Sequence, residues 1–83
     1  MFSQRFQREI RITRHAALRM IDRSIDEATL LELVDSGELR FKDAQRLWIF
    51  KDFAERDDNL LCAAVVLNDC LVVKTVMHHF ESW

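Results

Sequence analysis

Residues 60–67, Leu-Leu-Cys-Ala-Ala-Val-Val-Leu, form a continuous apolar run with no polar position on either parity. Successive side chains of a strand point to opposite faces, so this run requires a sheet covered on both sides. A second strand over residues 70–77 follows an Asn68-Asp69 turn. Both turn residues tolerate positive φ, although tight two-residue hairpins usually prefer Gly at the second position. Upstream, residues 46–53 are rich in large side chains (Leu47, Trp48, Ile49, Phe50, Phe53) and read as a strand, with a shorter one over 39–42. Glu55 to Asn59 read as a polar loop, and the acids Asp57-Asp58 within it as a solvated turn.

Two helices precede this apolar half. Thr13 is a plausible N-cap for a helix over residues 14–22. On a wheel at 100° per residue, Ala16, Ala17, Leu18, Met20 and Ile21 share one arc, and His15, Arg19, Asp22 and Arg23 share the opposite one. Ser24-Ile25-Asp26-Glu27 reads as a capping box opening a second helix that runs to about Ser36. Gly37 falls where a helix C-terminus favours a left-handed residue. Residues 9–12 alternate polar and apolar and form a short edge strand. The expected fold is α+β: two N-terminal helices packed on a three- to four-stranded antiparallel sheet in one domain of 83 residues.

Helices of that length cover one sheet face only. Phe2, Phe6, Phe80 and Trp83, a second subunit or a partner protein must cover the other, so a homodimer or a bound partner is expected. The chain is 49% hydrophobic with one Gly and no Pro, which excludes low-complexity linkers and disordered tails. No apolar run approaches the ~18 residues that cross a bilayer, and the first residues lack a signal-peptide core. A cytoplasmic protein with no membrane association is expected. Cys62 and Cys70 sit in apolar runs and are expected as reduced thiols that do not oppose each other.

Net charge is −2, but its distribution is uneven: residues 1–25 carry six Arg against Glu9 and Asp22, a balance of +4, and the remainder carries −6. Arginine grips phosphate with a planar, bidentate fork, so a cationic face on an acidic domain is one reading. Pairing of these arginines with the acidic remainder is the other. No CxxC or HxxxH spacing supports a metal, and no Gly-rich phosphate loop or GxSxG elbow is present, so no cofactor is expected. His15, Arg19 and Arg23 remain, spaced by four along one helix face. A histidine moves protons near neutral pH, and guanidinium groups hold a phosphate and its developing charge. Lys74 is the only charge in the last strand, where burial is costly unless it reaches an edge or meets an anion. Thr75 follows it.

Residues 12–38 carry a recognisable pattern. His15, Ala16, Arg19, Met20, Arg23 and Ile25, then a second helix and the Gly37-Glu38 pair, resemble the bacterial family catalogued as domain of unknown function 4258. The closing Val72-Val73-Lys74-Thr75-Val76 resembles that family's last strand. The resemblance implies a RelE/barnase-like fold and metal-independent RNA cleavage, as in toxins of toxin–antitoxin systems. It implies His15 as acid/base, Arg19 and Arg23 as phosphate clamps, and Thr75 with Lys74 on the opposite wall. Arg14 and His78 complete the expected set as substrate contacts. Two features depart from the pattern: the chain has no Tyr, and its net charge is negative. The expectations are therefore an endoribonuclease covered by an antitoxin, or a dimeric, non-catalytic module that binds protein or RNA.

Overall fold

A computed structural model describes residues 1–53 and 60–78, with the side chains of Leu60 and His78 outside that description. The elements run β1 (Phe2–Ser3), β2 (Arg8–Ile12), α1 (Arg14–Asp22), α2 (Glu27–Ser36), β3 (Glu38–Phe41), β4 (Arg46–Asp52), β5 (Leu60–Leu67) and β6 (Leu71–His78). They form one six-stranded sheet in the order β1-β2-β6-β5-β4-β3. The expected three- to four-stranded antiparallel, RelE/barnase-like sheet is corrected on two counts. The sheet has six strands, and β2 runs parallel to β6, with Ile10 opposite Leu71 and Ile12 opposite Val73. Two strands therefore precede the helices. The physical reason is non-local: the apolar edge of β6 needs a partner, and Ile10 and Ile12 present the matching alternation.

Both helices lie on one face of this sheet. Leu30, Leu33 and Val34 of α2 and Ala16 and Met20 of α1 pack over Leu47, Ile49, Leu61, Ala63, Val65, Leu71, Val73 and Val76. Leu18 and Ile21, which the wheel placed in the buried arc, are 54% and 75% exposed. Helix α1 packs mainly on β6, near one side of the sheet, so only its narrow Ala16–Met20 stripe meets the sheet. Full burial of a side chain of that size contributes roughly 1.5–3 kcal/mol, so Met20 contributes to stability where Ile21 contributes little.

The expected cap holds at Thr13, shifts from Ser24 to Asp26 in the second helix, and keeps its place but not its conformation at Gly37. Thr13 caps α1, its Oγ1 accepting the Ala16 N–H at 3.1 Å. The cap of α2 is Asp26, accepting the Thr29 N–H at 2.8 Å, while Ser24 adopts φ 55° in the connection. Gly37 is extended rather than left-handed, with φ −73° and ψ 167°. Glycine is required there by space: a Cβ would lie 2.5 Å from the Leu33 carbonyl oxygen, 2.8 Å from Ile49 Cγ2 and 2.9 Å from the Phe50 carbonyl oxygen. The sheet thus passes hard against the end of α2, which sets the start of β3.

The β5–β6 hairpin pairs Leu67 with Leu71, and the Asn68 N–H donates to the Cys70 carbonyl at 2.9 Å, so its connection spans three residues rather than two. Cys62 faces Met77, and both cysteines are free. Burial pushes the Cys62 thiol up to about 12, which leaves it inert as a nucleophile. Glu55, Asp57, Asp58, Phe80 and Trp83 lie outside the described residues.

Candidate functional site

The face of the sheet away from the helices carries a second set of residues. Reading across β6, β5, β4 and β3, one row is Thr75, Ala64, Trp48 and Arg40. The row on one side of it is Val72, Val66 and Arg46, and Arg11 of β2 continues it opposite Val72. Between these rows the ladder slips: Ala64 pairs with Thr75 but Val65 pairs with Val73, so Lys74 is an extra residue with nothing opposite it. A bulge of this kind bends the strand and re-aims a side chain. That is how a lysine sits in an apolar strand at no desolvation cost; Lys74 is exposed.

Lys74 lines an open concavity of about 200 Å³ together with Lys42, Arg46 and Trp48 over a floor that includes Leu47, Ala64 and Val66. Lys42 and Lys74 make no ion pair or side-chain hydrogen bond among the described residues. Arg46 is fixed at the rim. Its Nε donates to Asp43 Oδ2 at 2.7 Å, and Asp43 Oδ1 accepts the backbone N–H groups of Gln45 and Arg46 at 2.9 and 2.8 Å. Those hydrogen bonds, the one from Gln45 foremost, hold the Asp43 carboxyl well below the usual range, at about 2. Two unpaired ammonium groups, a fixed guanidinium and a half-buried indole around an apolar floor suit a ligand with both anionic and flat apolar parts.

The residues expected from sequence fall into two groups. His15 and Arg19 are exposed on α1, one turn apart, and Arg14 is exposed at its start. Arg23 departs from that stripe: it is half-buried at the C-cap. None of these four lines the concavity; Lys74 does, and Thr75 is half-buried in the adjoining row. The two groups meet at one point. The Thr13 hydroxyl donates to the Lys74 carbonyl at 3.2 Å, and the Thr13 N–H donates to the Val73 carbonyl at 3.1 Å. The first turn of α1, with Arg14 and His15, is thereby tied to the middle of β6. His78 pairs with Leu61 in register, and its side chain, like all of His79, lies outside the described residues.

Lys42 and Arg46 have no counterpart among the site residues expected from sequence, yet a signal existed. Arg40, Lys42, Arg46 and Trp48 share one parity across the β3–β4 hairpin, so a two-residue period of cations and an aromatic marks one face. Among the described residues no group of three or more His, Cys, Asp or Glu side chains is placed to hold a metal ion. Among the described residues no helix is long and apolar enough to cross a membrane.

The family model described as Domain of unknown function (DUF4258) matches residues 12–78. The chain belongs to this family. The DUF4258 match takes in both helices and β3 to β6, and so covers the α1 stripe and the open-face concavity alike. It brings no activity with it. No curated protein and no solved structure matches the chain.

Proposed function

We propose that this DUF4258 domain binds single-stranded RNA along the open face of its sheet. The observation that carries the reading is the concavity in which the unpaired Lys42 and Lys74 stand beside Arg46 and Trp48. Phosphate contacts supply most sequence-independent affinity, and an aromatic wall adds base stacking that tolerates any base. The reading also fits an overall charge of −2 with a polyanionic ligand, because Arg11, Arg40, Lys42, Arg46 and Lys74 share the open face. The test is anisotropy of a labelled RNA oligonucleotide titrated at several salt concentrations. Each phosphate contact on a single strand contributes roughly 0.7 to the slope of log K against log salt. Lys42→Glu and Lys74→Glu should each lower both affinity and slope, whereas Arg19→Glu on α1 should change them less. Undiminished binding by both lysine variants would defeat the proposal.

A second reading, a metal-independent endoribonuclease of a toxin–antitoxin pair, is favoured by the tie between Thr13 and Lys74. That tie sets Thr13, two residues before the exposed His15, beside Lys74. In that scheme the 2′-hydroxyl attacks the adjacent phosphorus and the 5′-oxygen leaves. His15 accepts the hydroxyl proton and returns one to the leaving oxygen, and the lysine holds the phosphate. An antitoxin would cover the same face. Growth of cells on induced expression separates the two readings. Arrest with RNA loss by the wild type, relieved in His15→Ala at equal folded yield, supports cleavage; growth unaffected by a well-folded wild type leaves binding alone.

A further inference from the structure

Strand β3 ends the sheet, and all four of its residues are exposed, including Leu39 at 37% and Phe41 at 51%. Its hydrogen-bonding polarity follows from the register. Lys42 donates to the Arg46 carbonyl at 2.8 Å, and antiparallel ladders alternate, so Arg40 and Glu38 bond inward to β4. The N–H and C=O groups of Leu39 and Phe41 therefore point outward, and neither residue has a partner for them among the described residues. The free stretch is closed on one side: the Gly37 N–H donates to the Leu33 carbonyl, and its own carbonyl accepts Arg5 Nη1 at 2.7 Å. Four backbone groups thus remain open on an edge with two large apolar side chains, a pattern that invites strand addition.

We infer that β3 is a dimer joint, pairing antiparallel with β3 of a second copy about a twofold axis at Arg40. This goes beyond the RNA reading and does not rest on it. Only this register satisfies all four open groups of each copy: Leu39 faces Phe41 of the second copy and exchanges both hydrogen bonds with it, and the reverse pair does the same. The same register lays Leu39 against Phe41 twice on the helix side of the sheet. On the open side it sets Glu38 opposite Lys42 of the second copy, also twice. Shifting the axis to Leu39 would match Phe41 with the already bonded Gly37. Shifting it to Phe41 would set Arg40 against Lys42. The opposing feature of the chosen register is a single Arg40–Arg40 pair on the axis, and Arg40 is already engaged within its own chain. Self-complementarity of both charge and backbone argues for a second copy over an unrelated strand. The joint is short, so the dimer is expected to be weak and concentration-dependent.

Cross-linking reads the register directly. On the axis, Arg40→Cys places two Cα atoms roughly 4.5 Å apart in a non-hydrogen-bonded pair, within disulfide range, whereas Leu39→Cys puts them beyond it. In a Cys70→Ser background, mild oxidation should convert Arg40→Cys, and not Leu39→Cys, to a species of twice the 9.9 kDa chain mass. Sedimentation equilibrium of the wild type should show the same dimer growing with concentration. Leu39→Pro should abolish it while leaving the monomer's circular dichroism intact, because Leu39 donates nothing to β4. A wild type that stays monomeric at millimolar concentration, or cross-linking through Leu39→Cys instead, overturns the inference.

Discussion

Replacing Gly37 by Ala tests whether the end of α2 is held by space or by backbone conformation. The residue is extended, so Ala adds no torsional strain. The added Cβ would lie 2.5 and 2.9 Å from the carbonyl oxygens of Leu33 and Phe50, and 2.8 Å from Ile49 Cγ2. Ile49 is fully buried, and the two oxygens belong to backbone already committed to α2 and β4, so none of the three can swing aside. Overpacking a tight site costs typically 1–3 kcal/mol, and contact with two backbone atoms puts this site near the upper end, about 3 kcal/mol. An 83-residue domain has roughly 4–12 kcal/mol of stability in all. The melting temperature should then fall by about 12–24 °C, read by calorimetry and by the urea midpoint. Gly37→Asn is the control. A left-handed cap accepts Asn readily, whereas an extended, crowded site loses as much with Asn as with Ala. Ala and Asn variants both within about 0.5 kcal/mol of the wild type would refute the steric account.

Other expectations follow from the same contacts. Ser3 is fully buried; its Oγ donates to Asp35 Oδ1 at 2.6 Å and accepts the Phe6 N–H, so Ser3→Ala should cost about 2 kcal/mol and speed amide exchange over Phe2–Phe6. Leu18→Gln with Ile21→Gln should leave the urea midpoint nearly unchanged, whereas Met20→Ala should cost about 2–5 kcal/mol. Asp43 titrates at about 2, below the 3.8 of a free carboxyl, so its contribution is complete above that upper value and is lost as pH falls through the lower one. The stability difference between wild type and Asp43→Asn should accordingly shrink between pH 4 and pH 2, as urea melts at each pH would show. Lys42 serves both the concavity and the inferred dimer joint, so RNA and dimerisation should weaken each other, visible as an oligonucleotide affinity that falls with protein concentration.

Much of the local structure was legible in the chain alone. The cap at Thr13, the extents of both helices and the positions of the last three strands follow from short-range signals: a hydroxyl before an apolar period, and β-branched runs bounded by polar turns. The α1 stripe was legible in the same way, because His15 and Arg19 are one helical turn apart whatever the helix packs against. The concavity was not, since Lys42, Arg46 and Trp48 join Lys74 only once β4, β5 and β6 lie side by side.

What tertiary structure alone decided is non-local. The parallel pairing of β2 with β6 joins residues about sixty positions apart, and it turned an expected small antiparallel sheet into six mixed strands. The bulge that frees Lys74 arises from a register slip between two strands, each of which reads as regular on its own. Gly37 reads in sequence as a helix cap, yet β4 closing on the end of α2 gives it a different role. Sequence therefore determined the elements, through periods and caps that span a few residues. Packing determined which faces stayed open, because exposure depends on what the rest of the chain leaves uncovered.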